Sequence, residues 1–253
     1  MKRILYVLIS IFLMIDGVFA QDSLYLYKSG SVIHSRAIAD VDSISFVNRT
    51  AKPSTTVSDI EGNVYHTVTI GTQTWMVENL RTRKFRDGSS IDSIADRIAW
   101  KSTSTAAWCN YNNDAVSATQ YGKLYNYYAV TDSRGIAPVG WHVPTDSEWS
   151  QLVDFLGGEL EAGGKLKQRG TNYWLSPNYN ASNQTGFSAL PGGCRDWGGN
   201  SKSAGNYGNW WTASEQDVNN AWCRYIYNKT ACIYRYNYLK ICGFSVKCIK
   251  DNP

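Results

Sequence analysis

The sequence predicts a compact α+β domain of short strands, few helices and long loops, preceded by a small β element. Three observations carry that expectation. One segment has both a helix-capping motif and an apolar helical face. Several short runs alternate as strands do. The C-terminal third is rich in Gly, Asn, Ser and aromatics and has no long periodic run. A length of 253 residues suits one large domain with a small appendage. With 43% hydrophobic and 18% charged residues, the chain is not a disordered tail, a polytopic membrane protein or a collagen-like rod. Aromatics reach 13%, including 10 Trp and 17 Tyr, which points to a hydrogen-bonded core or a recognition surface. A net charge of +4 gives no reason to expect nucleic acid or anionic lipid as a partner.

Taken in order, Lys2 and Arg3 precede an apolar run from Ile4 to Ile15, and Val18-Phe19-Ala20 offers a small-residue cleavage site. Residues 1–20 therefore read as a signal peptide cut after Ala20, too short for the ~20 apolar residues of a spanning helix. The mature chain is expected to be secreted, periplasmic or at the cell surface, without a membrane span. Residues 21–50 form a small β element, with strands at Ser23–Lys28 and Ser43–Val47 and a turn at Lys28-Ser29-Gly30. Residues 51–58, polar and containing Pro53, read as a linker, and the main domain spans 59–253. Tyr65–Ile70 and Gln73–Val77 flank Gly71-Thr72 as a hairpin with a type II′ turn. Thr145-Asp146-Ser147-Glu148 is a capping box, and Trp149, Leu152, Val153 and Leu156 follow on one helical face until Gly157-Gly158 ends it. Tyr121–Val130 reads as a second helix, with Leu124, Tyr125 and Tyr128 on one face.

Six cysteines, Cys109, Cys194, Cys223, Cys232, Cys242 and Cys248, follow the leader. An even count in an oxidising compartment favours disulfides, although spacing does not choose among the pairings and buried free thiols are the plain alternative. No CxxC pair is present, and His34, His66 and His142 are the only histidines.

Several segments together carry a resemblance. They include Thr69–Leu80, Tyr121–Val130, Gly140–Trp149, Ala162–Lys167, Gly186–Gly193, Trp210–Glu215 and Gly243–Cys248. In this order the chain, over about residues 59–251, resembles the Fibrobacter succinogenes major paralogous domain family. The segment ending Asp40-Val-Asp-Ser-Ile-Ser-Phe46 is similar to leader regions of secreted Bacteroidetes-type proteins. The resemblance implies a secreted or surface domain without an established activity, distantly similar to the formylglycine-generating enzyme and C-type-lectin-like folds. Family members commonly have Cys-Pro where this chain has Ala137-Pro138, so a disulfide using that position is not expected.

The enzyme reading rests on that distant similarity. The formylglycine-generating group binds copper through C-terminal cysteines, and Cys223, Cys232 and Cys242 occupy the corresponding region, but their spacing matches no pattern that can be carried over. No GxSxG, HExxH or P-loop motif occurs. Asp146 and Glu148 suit helix capping better than acid/base work, Asp154, Glu159 and Glu161 cluster around the same helix, and His142 suits a structural hydrogen bond. Binding has more support. Asp196, Trp197, Tyr207, Trp222, Tyr234 and Tyr236 are the candidate ligand-binding residues, in a segment where rings can stack on sugar faces and polar groups can hold hydroxyls. Alternation would place Tyr234, Tyr236 and Tyr238 on one strand face, with a half-buried sheet as the competing explanation. No cofactor is required. Ca²⁺ could draw on Asn112, Asn113 and Asp114 or on Asp196 and Asn200, although turn chemistry explains both runs. The expectation is a binding or adhesion module for a glycan or surface protein, without catalysis. The alternatives are an oxidase-like enzyme and a structural component of a surface assembly.

Overall fold

A computed structural model describes residues 23–28, 31–37 and 55–251. The chain divides into two compact units, residues 1–48 and 49–253. In the first, β1 (Ser23–Lys28) pairs antiparallel with β2 (Ser31–Ala37), with a bulge between Leu26 and Tyr27. The partner of β1 is thus the run starting at Ser31, which the sequence reading passed over. The leader 1–20 and the expected strand 43–47 lie outside the described residues.

The second unit contains β3 (Thr56–Ser58), β4 (Val64–Ile70), β5 (Gln73–Met76), β6 (Asp92–Ser93), α1 (Arg97–Ser102), β7 (Ala107–Cys109), α2 (Ala115–Tyr121) and β8 (Leu124–Tyr125). It continues with α3 (Tyr127–Val130), β9 (Trp141–His142), α4 (Asp146–Phe155) and α5 (Glu159–Leu166). Its last strands are β10 (Cys194–Arg195), β11 (Ser201–Lys202), β12 (Tyr207–Glu215), β13 (Asn220–Tyr227), β14 (Ile233–Leu239) and β15 (Ile249–Lys250). This is the expected α+β composition of short strands and few helices.

A five-stranded sheet, ordered β3-β4-β5-β15-β9, joins the start of the unit to its end. The β4–β5 hairpin pairs Ile70 with Gln73 across Gly71, whose φ of +62° is the left-handed conformation that the first position of such a turn requires. The expected linker ends in structure, because Thr56–Ser58 pairs with β4 and the Thr55 carbonyl accepts from the Thr67 hydroxyl at 2.8 Å.

Helix α4 starts as its capping box dictates. Glu148 N donates to Thr145 Oγ1 at 3.2 Å, and Thr145 N donates back to Glu148 Oε2 at 2.8 Å. Trp149, Leu152, Val153 and Leu156 are buried. Helix α5 was not anticipated, because Gly163 and Gly164 count against a helix interior. Packing overrides propensity there. A side chain at Gly163 would collide with the Cys232 carbonyl, and Gly164 N donates to Ala231 O at 2.8 Å.

The expected helix over 121–130 is corrected. α2 stops at Tyr121, and Gly122 turns the chain at φ +77°, where a Cβ would sit 2.8 Å from Asn79 Cβ. Leu124 and Tyr125 then enter β8, and α3 begins only at Tyr127, capped by Asn126 Oδ1 accepting from Ala129 N at 3.1 Å. A strand followed by one helical turn produced a spacing that imitates a single helix.

The aromatic excess serves a hydrogen-bonded core. Trp75, Trp149, Trp174 and Trp210 are fully buried in one cluster with Phe187, while Tyr65, Tyr125, Tyr127, Trp211 and Phe244 fill a second. The indole N–H groups of Trp210, Trp211 and Trp174 reach polar partners, Asn79 Oδ1 at 2.8 Å, Tyr125 O at 2.8 Å and Ala189 O at 2.9 Å, whereas that of Trp149 is buried without one. Two buried lysines act as pins. Lys167 Nζ donates to Tyr179 O and Thr230 O at 2.8 and 2.7 Å, and Lys247 Nζ donates to Phe187 O at 3.1 Å and to Val77 O.

Candidate functional site

The register of β12, β13 and β14 decides which aromatic rings meet. Tyr207 opposes Tyr227, Asn209 opposes Tyr225, and Trp211 opposes Cys223. Tyr225 in turn opposes Tyr234, Cys223 opposes Tyr236, and Ala221 opposes Tyr238. Directly opposed residues in an antiparallel sheet share a face, and alternate residues along a strand share it too. One face of this sheet therefore carries six tyrosines.

Their rings form a ladder. Tyr207 and Tyr227 stack with centroids 4.5 Å apart and planes 14° apart, and Tyr225 and Tyr234 stack at 4.8 Å and 16°. Tyr207 and Tyr225 lie 6.0 Å apart and link the two stacks. Tyr236 and Tyr238 lie 5.3 Å apart, and Tyr238 meets Phe244 edge-on at 5.1 Å. The ladder thus meets the core at Phe244, is half-buried at Tyr207, Tyr225, Tyr227 and Tyr234, and is exposed at Tyr236 (54%) and Tyr238 (36%). Burial, reinforced by neighbouring rings and thiols, raises the Tyr207, Tyr225 and Tyr238 hydroxyls above their usual pKa, so these three rings are uncharged donors and acceptors at neutral pH.

The reverse face of the sheet is committed to the fold. Arg224 is buried and donates to Asp146 Oδ1 and Ser150 Oγ, both at 2.8 Å. Arg235 donates to Asp146 Oδ2 at 2.8 Å and lies 3.3 Å above the centroid of the Trp222 ring.

The candidates named from sequence therefore separate. Tyr207, Tyr234 and Tyr236 come together on the ladder face. Trp222 is on the opposite face under Arg235. Asp196 and Trp197 occupy the loop between β10 and β11, which joins the ladder through the 242–244 segment: Arg195 and Gly243 exchange backbone hydrogen bonds at 2.8 Å each, and the Trp197 N–H faces the Cys242 thiol. Trp197 is 59% exposed. Asp196 is held by Lys202 Nζ and by Asn200 N, both at 2.8 Å, and its salt bridge and hydrogen bonds lower its pKa against the opposing effect of burial. Tyr225, Tyr227 and Tyr238 also belong to the face. The alternation of Tyr225 with Tyr227 was the available sequence signal for the first two.

The two carboxylates considered for Ca²⁺, Asp114 and Asp196, are engaged within the fold. Both Asp114 oxygens accept from the first turn of α2, from Val116 N at 3.1 Å and Ser117 N at 2.8 Å. Among the described residues, no group of three or more His, Cys, Asp or Glu is placed to hold a metal ion. His142 bridges two carboxylates, with Nδ1 2.6 Å from Asp251 Oδ1 and Nε2 2.9 Å from Glu148 Oε1. Burial pulls its pKa down, but the two carboxylates outweigh burial and hold it above the usual value.

The disulfide expectation is corrected, since all six cysteines are free thiols. Cys194 packs against the cluster that holds Cys223, Cys242 and Cys248, and the other two lie elsewhere. Cys109 sits beside Trp100 and Leu124, Cys223, Cys242 and Cys248 are in the Trp211 cluster, and Cys232 lies where α5 meets the start of β14. Burial pushes Cys109 and Cys194 up to about 11 and Cys242 up to about 12, so these three are protonated at neutral pH.

The Fibrobacter succinogenes major domain matches residues 68–250, from β4 through β15. The chain belongs to this family. The match takes in the whole ladder face, the β10–β11 loop, Lys167 and Lys247. No curated protein and no solved structure matches the chain.

Proposed function

We propose that this family member is a binding module whose recognition surface is the tyrosine ladder of β12–β14 together with Trp197, and that its ligand is a glycan at the cell exterior. One observation carries the reading. Six tyrosines are aligned on one face while Tyr236 and Trp197 remain more than half exposed. Large exposed aromatics are costly to leave in water, and grouped ones characterise interaction sites. Sugar rings present flat C–H faces for such rings, and the uncharged tyrosine hydroxyls can exchange hydrogen bonds with sugar hydroxyls. The opposite face, spent on Asp146 and helix α4, acts as the rigid support that keeps the ladder in register. Export by the leader 1–20 is part of the same proposal.

A glycan array probed with the chain lacking residues 1–20 tests it. Retention of one or a few polysaccharides, lost in Tyr236→Ala and Trp197→Ala at unchanged melting temperature, is the expected result. Retention of none, or retention indifferent to both substitutions, overturns it.

A further inference from the structure

Beside the β10–β11 loop lies an open cleft of about 510 Å³ lined by Asp96, Arg97, Asn112, Asn113, Arg195 and Ser201, among others. That volume is within the range of small-ligand sites, about 300–1,000 Å³. Arg195 forms its inner wall and is only 2% exposed. Its guanidinium meets neutral groups alone among the described residues. Nη1 donates to Asn113 Oδ1 at 3.1 Å, Nη2 donates to Ala95 O at 2.7 Å, and the Trp100 ring centroid lies 5.0 Å away. The Cys109 thiol faces it as well, but burial holds that thiol protonated. Nε is buried without a hydrogen-bond partner. A buried cation lacking a counter-charge is costly and is normally paired.

The rest of the cleft suits a polyhydroxylated anion. Arg97 at the mouth is exposed and adds a second guanidinium. Asn113 is fixed by Arg195 and by its own donation to Ala95 O at 3.1 Å, and Ser201 Oγ is fixed by Asn112 N at 2.9 Å. Asn112 and Asn113 both adopt positive φ, 51° and 56°, a conformation that asparagine tolerates and that shapes this wall. Asp96 spends Oδ1 on Ala99 N at 2.8 Å, and its carboxylate opposes a multiply charged ligand while accepting from hydroxyls. Two guanidinium groups against one carboxylate leave a single positive charge, which matches a monoanion.

From this geometry we infer that the cleft is a subsite for a carboxylate-bearing sugar, a uronate, with its carboxylate on the exposed Arg97, drawn by the unpaired charge of Arg195 behind it, and its hydroxyls on Asn112, Ser201 and Asp96. The inference deepens the glycan-binding reading and rests on it. With Asp96 in the cleft the net charge is a single positive one, which favours a monoanionic carboxylate over doubly charged phosphate, so the class of anion is part of the claim.

The test is NMR titration of the chain lacking residues 1–20 with glucuronate and galacturonate, beside glucose, galactose and inorganic phosphate. The uronates are expected to shift the Arg195 Nε–H and the Asn112 and Asn113 side-chain amides, while the neutral sugars and phosphate leave them in place. Because Arg195 also packs on Trp100, the mutational arm uses the exposed Arg97. Arg97→Ala should weaken uronate binding about tenfold or more, as loss of a charge-assisted bond does. Val218→Ala, at an exposed position between β12 and β13, should leave monomer binding unchanged. Equal shifts with neutral sugars, stronger shifts with phosphate, or indifference to Arg97→Ala overturn the subsite. If polysaccharide retention still depends on Tyr236 in that event, the ladder reading survives alone; if the uronates bind but no polymer depends on Tyr236, the ladder reading falls.

Discussion

Asp146 and Arg224 are joined at 2.8 Å across the back of the ladder sheet. The carboxylate belongs to the first turn of α4, and its second oxygen accepts from Arg235 at 2.8 Å. One carboxylate therefore fastens a helix N-terminus to two neighbouring strands, β13 and β14. Removing it leaves the buried Arg224 without its close partner. Asp146→Ala should cost ~3–5 kcal/mol, as breaking a buried pair from one side does. Denaturant melts check this, and a loss below that of an exposed surface substitution would sink the docking role.

The cap and the apolar face of α4 make separable contributions. Thr145→Ala should cost ~1 kcal/mol, the usual loss on removing an N-cap. Trp149→Ala should cost ~3–5 kcal/mol, since it removes a fully buried indole packed against Trp75 with ring centroids 4.8 Å apart. If urea melts rank the two substitutions the other way round, the core assignment of Trp149 is wrong.

These two predictions draw on parts of the molecule that were legible from the chain alone. The capping box and the Trp149 face obey local rules of three and four residues, and so does the Gly71 turn. Helix α5 was not legible, because its glycines answer to Cys232 and Asn180, remote in sequence. The region 121–130 failed for the same reason: Gly122 is required by the approach of Asn79, not by its neighbours in the chain. At the candidate site, alternation was sufficient to group Tyr234 with Tyr236. It did not show that Trp222 faces the other way, because that depends on the register of β13 against its neighbours. The cleft was invisible, since Arg195 and Asn113 are 82 residues apart in sequence and neither lies in a recognisable motif.

The buried lysines should leave a pH signature. Burial pulls Lys247 down to about 7 and Lys167 down to about 8, whereas an unfolded lysine titrates at ~10.4. Between these limits each of these lysines holds more protons in the unfolded chain than in the folded one and so contributes a rise of stability with pH, which the buried thiols oppose from ~8.5, where unfolded cysteines ionise and folded ones do not. Below pH 7 both states are protonated and the dependence from Lys247 vanishes. Relative to the parent chain, Lys247→Met should therefore lose upward slope in urea midpoint between about pH 7 and 8, a window closed above by cysteine ionisation at ~8.5. An unchanged slope in that variant would mean that the Lys247 ammonium is solvated.

His142 works in the opposite sense. Its folded pKa is raised, so the stability it adds is fully present below the unfolded value of ~6.5 and is lost as pH rises through the folded value. His142→Gln should remove that decline while leaving the Lys247 rise in place. Urea midpoints measured from pH 5 to 9 on both variants separate the two groups, and a histidine variant that keeps the decline would show that the Asp251 and Glu148 contacts do not hold the proton.

The two faces of the ladder sheet should respond differently to the same chemical change. Tyr236 and Trp197 are more than half exposed, so their replacement by Ala should alter stability by no more than about 0.5 kcal/mol, as surface substitutions do. Their cost should appear in ligand retention instead. Trp222 is half-buried beneath Arg235, and its loss removes a cation–π contact that helps to hold β14 against β13. Trp222→Ala should therefore lower the melting temperature and leave retention of the ligand unchanged under conditions where the protein is folded. The pair of measurements is decisive because all three residues are large aromatics in the same segment, and composition alone would rank them together. If Trp222→Ala impairs retention as strongly as Tyr236→Ala at full folding, recognition uses the reverse face or an edge of the sheet, and the assignment of the ladder as the binding surface is wrong.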